Sequence, residues 1–206
     1  MRQPRYLLIF LVGLICACNS RDRSRTISAS RLVPEPDIAE RLQYQKVLID
    51  TLLIRNRNNI EVLVKLTSKT DLIPLKDTTL PDETETSFNI LRDSLKRIVA
   101  ITESPFSQSG DWFLTLIHYF DKNGQTFAFE RQTNFFNSGC TEGVAYETKT
   151  EYYDNDFKLI RKEYKLVDEK GVNLNKDSCT FMYDYSYKVF PSVDKHLQVS
   201  KIKDRK

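Results

Sequence analysis

Four charged side chains fall where two neighbouring strands could bring them together. Glu147, Lys149 and Glu151 occupy alternate positions of one predicted strand, and Glu130 lies on the strand before it. A pair of carboxyl groups on adjacent strands could carry out acid–base chemistry on a sugar. The lysine between the two glutamates favours a simpler alternative, a solvated ladder of ion pairs. A glycan-acting enzyme that uses Glu130 with Glu147 or Glu151 is therefore the least favoured of three functional hypotheses.

Other catalytic signatures are missing from the sequence. It has no nucleophile elbow, phosphate-binding glycine loop or paired-histidine motif, and neither histidine stands at a metal-ligand spacing from a cysteine. Because histidine is the most common general base in enzymes, two histidines offer little for catalysis. The sequence therefore predicts a protein that is not an enzyme and that uses no metal or cofactor.

The amino-terminal residues carry a different kind of signal. Two arginines precede an apolar run of 11 residues at positions 6–16, which is too short to span a bilayer but suits a secretory signal peptide. The sequence ICAC at positions 15–18 resembles the lipobox of bacterial lipoprotein precursors. The resemblance implies that residues 1–17 are removed and that Cys18 is acylated, with two or three chains that hold a protein firmly on a membrane. An ordinary signal peptide, cut at a nearby small residue, is the alternative.

Residues 18–37 are rich in serine, arginine and proline, which predicts a tether that does not fold. Asn19 follows the predicted lipidated cysteine. In enterobacterial lipoproteins an aspartate at this position signals retention in the inner membrane, so the resemblance implies the outer membrane. The expected setting is the bacterial cell envelope, with the membrane as one partner and an envelope protein as a candidate second partner.

Removal of residues 1–17 leaves two unmodified cysteines, Cys140 and Cys179. In an exported protein such a pair predicts a disulfide. Closing a loop of roughly 40 residues stabilises a fold by about 4 kcal/mol on the chain-entropy model. A metal site is the alternative, but His118 and His196 lack the spacing for it.

The remaining chain is nearly neutral and long enough for one domain. Without residues 1–17 it has 29 basic and 28 acidic residues, a net charge of +1. That balance gives no electrostatic reason to expect nucleic acid as a partner. About 190 residues suit a single domain with a sizeable core, and we expect it to occupy residues 38–206.

The domain is expected to begin with a helical segment over residues 38–66. The apolar residues near one helical face are Ile38, Leu42, Ile49, Leu52 and Leu53, and Asp37 is available as an N-cap. The second part of the segment is ambiguous, because apolar residues alternate strictly over 60–66 and predict a strand equally well. Residues 67–86, with two prolines and many polar residues, are expected to form a surface loop.

A turn pattern recurs from about residue 87 onward. Asp121 to Gly124 and Asp168 to Gly171 share the form Asp-x-x-Gly after an apolar pair, and Asp93 and Asp154 begin looser copies without the glycine. The aspartate accepts hydrogen bonds from the turn's backbone N–H groups, and glycine tolerates the positive φ that reverses the chain. Such turns resemble the hairpin repeats of many exported bacterial β proteins.

The runs between these turns alternate as half-buried strands do. One predicted strand has Trp112, Leu114, Leu116, His118 and Phe120 on the same face. The next predicted strand has Phe127, Phe129 and Phe135 on one of its faces. The clearest alternation covers residues 179–189. Residues 87–101 fit a helix as well, although the turn repeat favours a hairpin. The predicted fold class is α+β, with an N-terminal helix and an antiparallel meander of seven or eight strands over 87–206 that curls into a partial barrel or stays open.

Three functional hypotheses follow. The favoured one is a non-enzymatic envelope lipoprotein that binds a partner protein through an exposed apolar patch. The second is a carrier of a small apolar ligand, with a cavity lined by Phe127, Phe129, Tyr183 and Tyr185. The third is the glycan-acting enzyme described above.

Overall fold

A computed structural model describes residues 37–55, 60–75, 79–107, 109–110, 112–181 and 185–204. The predicted signal peptide, the lipidation site Cys18 and all of the tether except Asp37 lie outside these residues.

The described residues contain one open sheet of eight strands, each antiparallel to its neighbours. The strands are β1 (Glu61–Leu66), β2 (Ile73–Pro74), β3 (Thr84–Arg92), β4 (Ile98–Pro105), β5 (Trp112–Phe120), β6 (Thr126–Phe135), β7 (Ala145–Tyr153) and β8 (Leu159–Val167). Their order across the sheet is β2-β1-β3-β4-β5-β6-β7-β8. Two α-helices accompany the sheet, α1 (Ile38–Arg55) and α2 (Val193–Ser200). The predicted α+β meander is confirmed.

Four turns of one design follow β3, β5, β7 and β8, the first three at one end of the sheet and the fourth at the opposite end. In each turn an aspartate accepts hydrogen bonds from the backbone N–H groups two and four residues later. The four aspartates are Asp93, Asp121, Asp154 and Asp168. The residue three positions after each aspartate has a positive φ, and these residues are Lys96, Gly124, Phe157 and Gly171. The predicted turn repeat is therefore present, including the two copies without glycine.

The helix α1 covers one face of the sheet. Residues 39, 42, 46, 49 and 53 form the stripe that faces the strands, and Ile49 packs in a cluster with Tyr119, Ala128 and Tyr152. The sequence placed Ile38 and Leu52 on this stripe, but both are exposed. The prediction was wrong for these two because they lie beside the stripe in the helical repeat.

The chain after β8 crosses the opposite face of the sheet, and we call residues 173–204 the C-terminal segment. Its contacts with the strands pair Phe181 with Phe135, Tyr187 with Phe129, Phe190 with His118 and Leu197 with Phe120. Within its described part, residues 179–181 and 185–189 form no strand. The prediction of a strand was therefore wrong for these described residues. The alternation arose because an extended chain that lies on an apolar surface also turns every second side chain inward.

Three other boundaries differ from the sequence-based prediction or resolve its ambiguity. Residues 61–66 form the strand β1, not a continuation of the helical segment, and their alternation was the correct signal. The predicted loop at 67–86 contains β2 and the start of β3. Residues 87–101 belong to the β3–β4 hairpin, as the turn repeat favoured.

Cys140 and Cys179 form the predicted disulfide, with an S–S distance of 2.00 Å and 4.7 Å between the Cα atoms. Cys140 lies in the connection between β6 and β7, and Cys179 lies near the start of the C-terminal segment. Both pack beside a cluster that contains Phe135 and Leu166. The disulfide therefore fastens the early part of the C-terminal segment to the connection between β6 and β7.

Candidate functional site

The structure separates the carboxyl groups that the sequence had paired. Glu130 faces α1, where its carboxylate lies 2.7 Å from the Lys46 ammonium and accepts a hydrogen bond from Thr150. Glu147 lies opposite Thr133 in the register of β6 and β7. Thr133 is three residues after Glu130, so its side chain and that of Glu147 point to the other face of the sheet, toward the C-terminal segment. There the Glu147 carboxylate lies 3.3 Å from the Arg131 guanidinium. Glu130 and Glu147 are thus on opposite sides of the sheet, each in an ion pair.

Glu151 lies on the same side as Glu147 and is also engaged. Its carboxylate forms an ion pair with Lys162 and accepts a hydrogen bond from the Tyr153 hydroxyl. These contacts hold the pKa of Glu151 below its usual value, although burial acts in the opposite direction. Lys149 pairs with Glu147 at 3.2 Å, as the ion-pair alternative predicted, but Glu147 is buried and Glu130 is on the other face, so the solvated ladder of the prediction is present only in part.

The aromatic residues predicted to line a cavity do not lie together. Phe129 contacts Tyr187 of the C-terminal segment, whereas Phe127 packs in the cluster beneath α1. The reason is a register shift next to the Asp121 turn, which leaves Phe127 as an extra residue between two paired positions. Such a bulge turns the extra side chain to the other face. Tyr183 lies outside the described residues.

Tyr185 does line a cavity, between the sheet and the C-terminal segment. The cavity has a volume of about 500 Å³. Its floor consists of Thr86, Phe88, Glu103 and Leu116 from β3, β4 and β5, and its roof includes Tyr185, Tyr187 and Phe190. This volume lies within the range of small-molecule binding sites. Of the four residues that the sequence predicted for the lining, Tyr185 is the one that the described structure places there.

Glu103 is the ionisable residue of the cavity floor, beside Thr86, Phe88 and Leu116. It stands between Phe88 and Leu116 in one row across the sheet. Burial raises the pKa of its carboxyl group, and the nearby Lys65 ammonium only partly opposes that effect. Among the described residues the structure records no hydrogen bond to this carboxylate. Glu103 can therefore accept a hydrogen bond from a group that enters the cavity, or donate one when its carboxyl group is protonated.

Glu103 was not among the site residues predicted from the sequence, although the sequence contains a signal for it. Glu103 follows Ile101 at the next alternate position of a strand whose inward residues are apolar. A carboxyl group at an inward position is costly to bury and so marks a site with a special environment. The candidate acids in the sequence were chosen as pairs, and Glu103 is a single carboxyl group without such a partner.

Charged residues surround the mouth of the cavity. Lys65 and Glu85 form an ion pair of 2.8 Å at the β1–β3 edge, with both side chains more than two-fifths exposed. Lys188 and Lys201 are exposed on the C-terminal segment and also line the cavity. The mouth therefore carries three ammonium groups and the carboxylate of Glu85, whereas the interior combines aromatic rings with Glu103.

Two buried histidines support the wall of the cavity. His118 on β5 accepts a hydrogen bond from the backbone N–H of Phe190, at 3.1 Å. His196 on α2 packs against both His118 and Phe190. Burial, with a smaller contribution from His196, holds the pKa of His118 well below its usual value, and burial lowers the pKa of His196 to about 4. Both rings are therefore neutral at pH 7 and act as packing groups.

The described part of the chain contains no cluster of three or more histidine, cysteine or acidic residues placed to bind a metal ion. None of its helices combines the length and the apolar character that a membrane-spanning helix requires. Comparisons of the chain with protein-family models, with curated proteins and with solved structures found no match.

Proposed function

We propose that this protein is a lipoprotein of the bacterial cell envelope whose folded part binds a small ligand in the cavity beneath the C-terminal segment. The cavity itself carries the proposal, because its volume of about 500 Å³ is that of a ligand site and not of a packing defect. Its aromatic roof and apolar floor provide most of the contact surface. The proposal keeps the envelope lipoprotein of the favoured hypothesis, but it takes the binding of a small ligand from the carrier hypothesis in place of a partner protein.

The lining defines the class of ligand. Tyr185, Tyr187, Phe88 and Leu116 favour an apolar or aromatic body, since burying such a surface is the main source of affinity in a pocket of this kind. Glu103 favours a ligand with a hydrogen-bond donor, because its carboxylate accepts no hydrogen bond from a described residue. The ligand we propose is therefore a small amphiphile with an apolar body and one donor group, such as an amine or a hydroxyl.

Binding is favoured over glycan hydrolysis by the positions of the candidate acids. Glu130 and Glu147 face opposite sides of the sheet, and a two-carboxyl mechanism needs both groups in one cleft. Glu103 stands apart from them, on β4, and the second glutamate at the cavity, Glu85, is paired with Lys65 at its mouth.

Attachment to the membrane through Cys18 is supported by the lipobox-like sequence at positions 15–18, and the choice of the outer membrane is supported by Asn19. Acyl chains on Cys18 would hold the domain at the membrane through the tether. The test is to compare cells that express the wild-type protein and Cys18→Ser after growth with labelled palmitate. We expect label and membrane association in the wild type and neither in the variant. Membrane association of an unlabelled wild-type protein would overturn this part of the proposal.

Ligand binding is tested with a neutral fluorescent aromatic amine, N-phenyl-1-naphthylamine, which combines an apolar body with one N–H donor. We expect saturable binding with a rise in fluorescence. Tyr185 supplies one of the aromatic rings of the roof, so Tyr185→Ala should weaken binding about tenfold or more. Tyr44→Ala, at an exposed position of α1 on the other face of the sheet, is the matched control. Unchanged binding by Tyr185→Ala would show that the dye binds elsewhere and would contradict the proposal.

A further inference from the structure

The outer side of α1 is unusually apolar for an exposed helix. Nine residues of α1 are exposed, and six of them are large apolar residues. These six, which we call the outward face of α1, are Ile38, Tyr44, Val47, Leu48, Leu52 and Ile54. Tyr44 and Ile54 are each 66% exposed and Val47 is 53% exposed. A helix on the surface of a soluble domain ordinarily presents charged and polar residues to solvent, so the outward face is a candidate contact surface.

The opposite side of α1 already has its partners. Lys46 and Ile49 are buried against the sheet, and Lys46 forms ion pairs with Asp50 and Glu130. The hydroxyl of Tyr119 donates a hydrogen bond to Asp50 at 2.7 Å. These contacts fix the rotation of the helix about its axis. The outward face therefore cannot turn toward the core and stays available for a partner outside the domain.

We infer that this partner is the lipid surface to which Cys18 is anchored, and that α1 lies on the membrane with its outward face in the headgroup region. The inference rests on the acylation of Cys18 that we propose above. α1 is the first described element after the tether, and Ile38 is 20 residues from Cys18. A chain of that length reaches at most about 70 Å. The anchor thus keeps α1 at high local concentration near the bilayer, so a modest apolar surface is enough for contact.

The charges around the outward face suit an anionic surface. Its three exposed charged neighbours on the helix are Glu40, Arg41 and Arg55, with an arginine near each end. The tether, residues 18–37, carries four arginines and three acidic residues, and all four arginines lie between positions 21 and 31, toward Cys18. Basic residues next to an amphipathic helix bind anionic headgroups. A protein partner would offer the tether no such general attraction, and for that reason we assign the surface to lipid.

This orientation has a consequence for the ligand site. α1 and the C-terminal segment lie on opposite faces of the sheet, so a domain that rests on α1 turns its cavity away from the bilayer. The cavity would then receive its ligand from the aqueous compartment and not from the lipid below.

The experiment uses the acylated full-length mature protein in vesicles of three parts phosphatidylethanolamine to one part phosphatidylglycerol. An environment-sensitive nitrobenzoxadiazole dye is attached at Val47→Cys or, as the matched control, at Leu95→Cys in the β3–β4 turn, where Leu95 is 70% exposed. Flotation with the vesicles reports the anchor separately from the dye. We expect both variants to float. We also expect the dye at position 47 to be quenched by lipids that carry a nitroxide, and the dye at position 95 to be quenched by aqueous iodide.

Three results would overturn the inference. If the protein floats but the dye at position 47 remains open to iodide, α1 does not lie on lipid and the anchor proposal survives. If the dye at position 47 is protected in native envelope membranes but not in pure lipid vesicles, the occupant is a protein. If the protein carries no lipid and fails to float, the anchor proposal itself is wrong and this inference fails with it.

Discussion

The rings of His118 and His196 meet edge to face, with their centroids 4.5 Å apart and their planes at 88°. Both residues are fully buried, and one comes from β5 and the other from α2. Among the described residues, His118 Nδ1 and His196 Nε2 have no hydrogen-bond partner. The rings of Phe120, Phe129 and Phe190 pack around the pair, and the Ser200 hydroxyl lies 3.3 Å from His196 Nδ1. The contact therefore holds α2 on the sheet only while both imidazoles are neutral.

The first prediction is that acid destabilises the fold through this contact. The pKa of His196 is lowered from 6.5 to about 4, so the unfolded chain takes up a proton below about pH 6.5 that the folded chain does not. The free energy of unfolding therefore has its full value above that pH and decreases as the pH falls. His196 alone accounts for a decrease of roughly 3 kcal/mol by pH 4. Urea denaturation at about pH 7 and about pH 5 measures the loss.

The variant His196→Phe keeps an aromatic ring in place and removes the proton site. We expect it to lose less stability between the two pH values than the wild type, with His118 responsible for the remainder. An identical loss in both proteins would show that other groups govern acid denaturation.

The second prediction concerns the ion pair of Lys46 with Glu130. Their side chains are 10% and 8% exposed, and the ammonium and carboxylate are 2.7 Å apart. Lys46→Met leaves the Glu130 carboxylate buried without its cation, so we expect the free energy of unfolding to fall by about 3 kcal/mol or more. Lys65→Met is the matched control, because its ion pair with Glu85 is largely exposed and such pairs contribute about 1 kcal/mol or less. Similar small losses in both variants would contradict the prediction.

The third prediction uses two turns that share one hydrogen-bond pattern but differ at the position of positive φ. Gly124 has a φ of 76° and Lys96 a φ of 64°. The left-handed conformation costs an L-residue roughly 1–2 kcal/mol, so Gly124→Ala should lower the free energy of unfolding by about that amount. Lys96→Gly relieves the same strain and should raise stability by less than about 1 kcal/mol, because glycine gains more freedom in the unfolded chain. Thermal unfolding distinguishes the signs, and a loss for Lys96→Gly as large as that for Gly124→Ala would contradict the argument.

These turns also show which parts of the fold the sequence reveals. The Asp121 turn was predictable because its aspartate and glycine act within five residues, and the strands on either side were predictable from alternation. Phe127 was misplaced because a bulge depends on how two strands pair, which local alternation does not contain. Residues 179–181 and 185–189 were misassigned because alternation indicates an extended chain with one buried side, whether or not it pairs with a neighbour. The position of Glu103 opposite Tyr185 requires both the strand order and the path of the C-terminal segment.

The fourth prediction is that the Glu103 carboxylate lowers the free energy of unfolding but strengthens the binding of a ligand in the cavity. Burial raises the pKa of its carboxyl group above the usual 4.5, so the folded chain holds this proton more tightly than the unfolded chain does. The contribution of Glu103 to stability therefore decreases as the pH rises above about 4.5. Removing the carboxylate with Glu103→Leu should raise the free energy of unfolding at pH 7 by about 1 kcal/mol.

The same variant separates a binding role from a structural one. We expect Glu103→Leu to bind N-phenyl-1-naphthylamine more weakly, since the N–H donor loses its acceptor, in spite of the gain in stability. Glu142→Leu, at an exposed position outside the cavity lining, is the matched control and should change neither quantity. If Glu103→Leu instead lost stability and kept its affinity for the dye, Glu103 would be a structural residue. The ligand would then be held by the aromatic walls alone, because no other carboxylate stands on the cavity floor among the described residues.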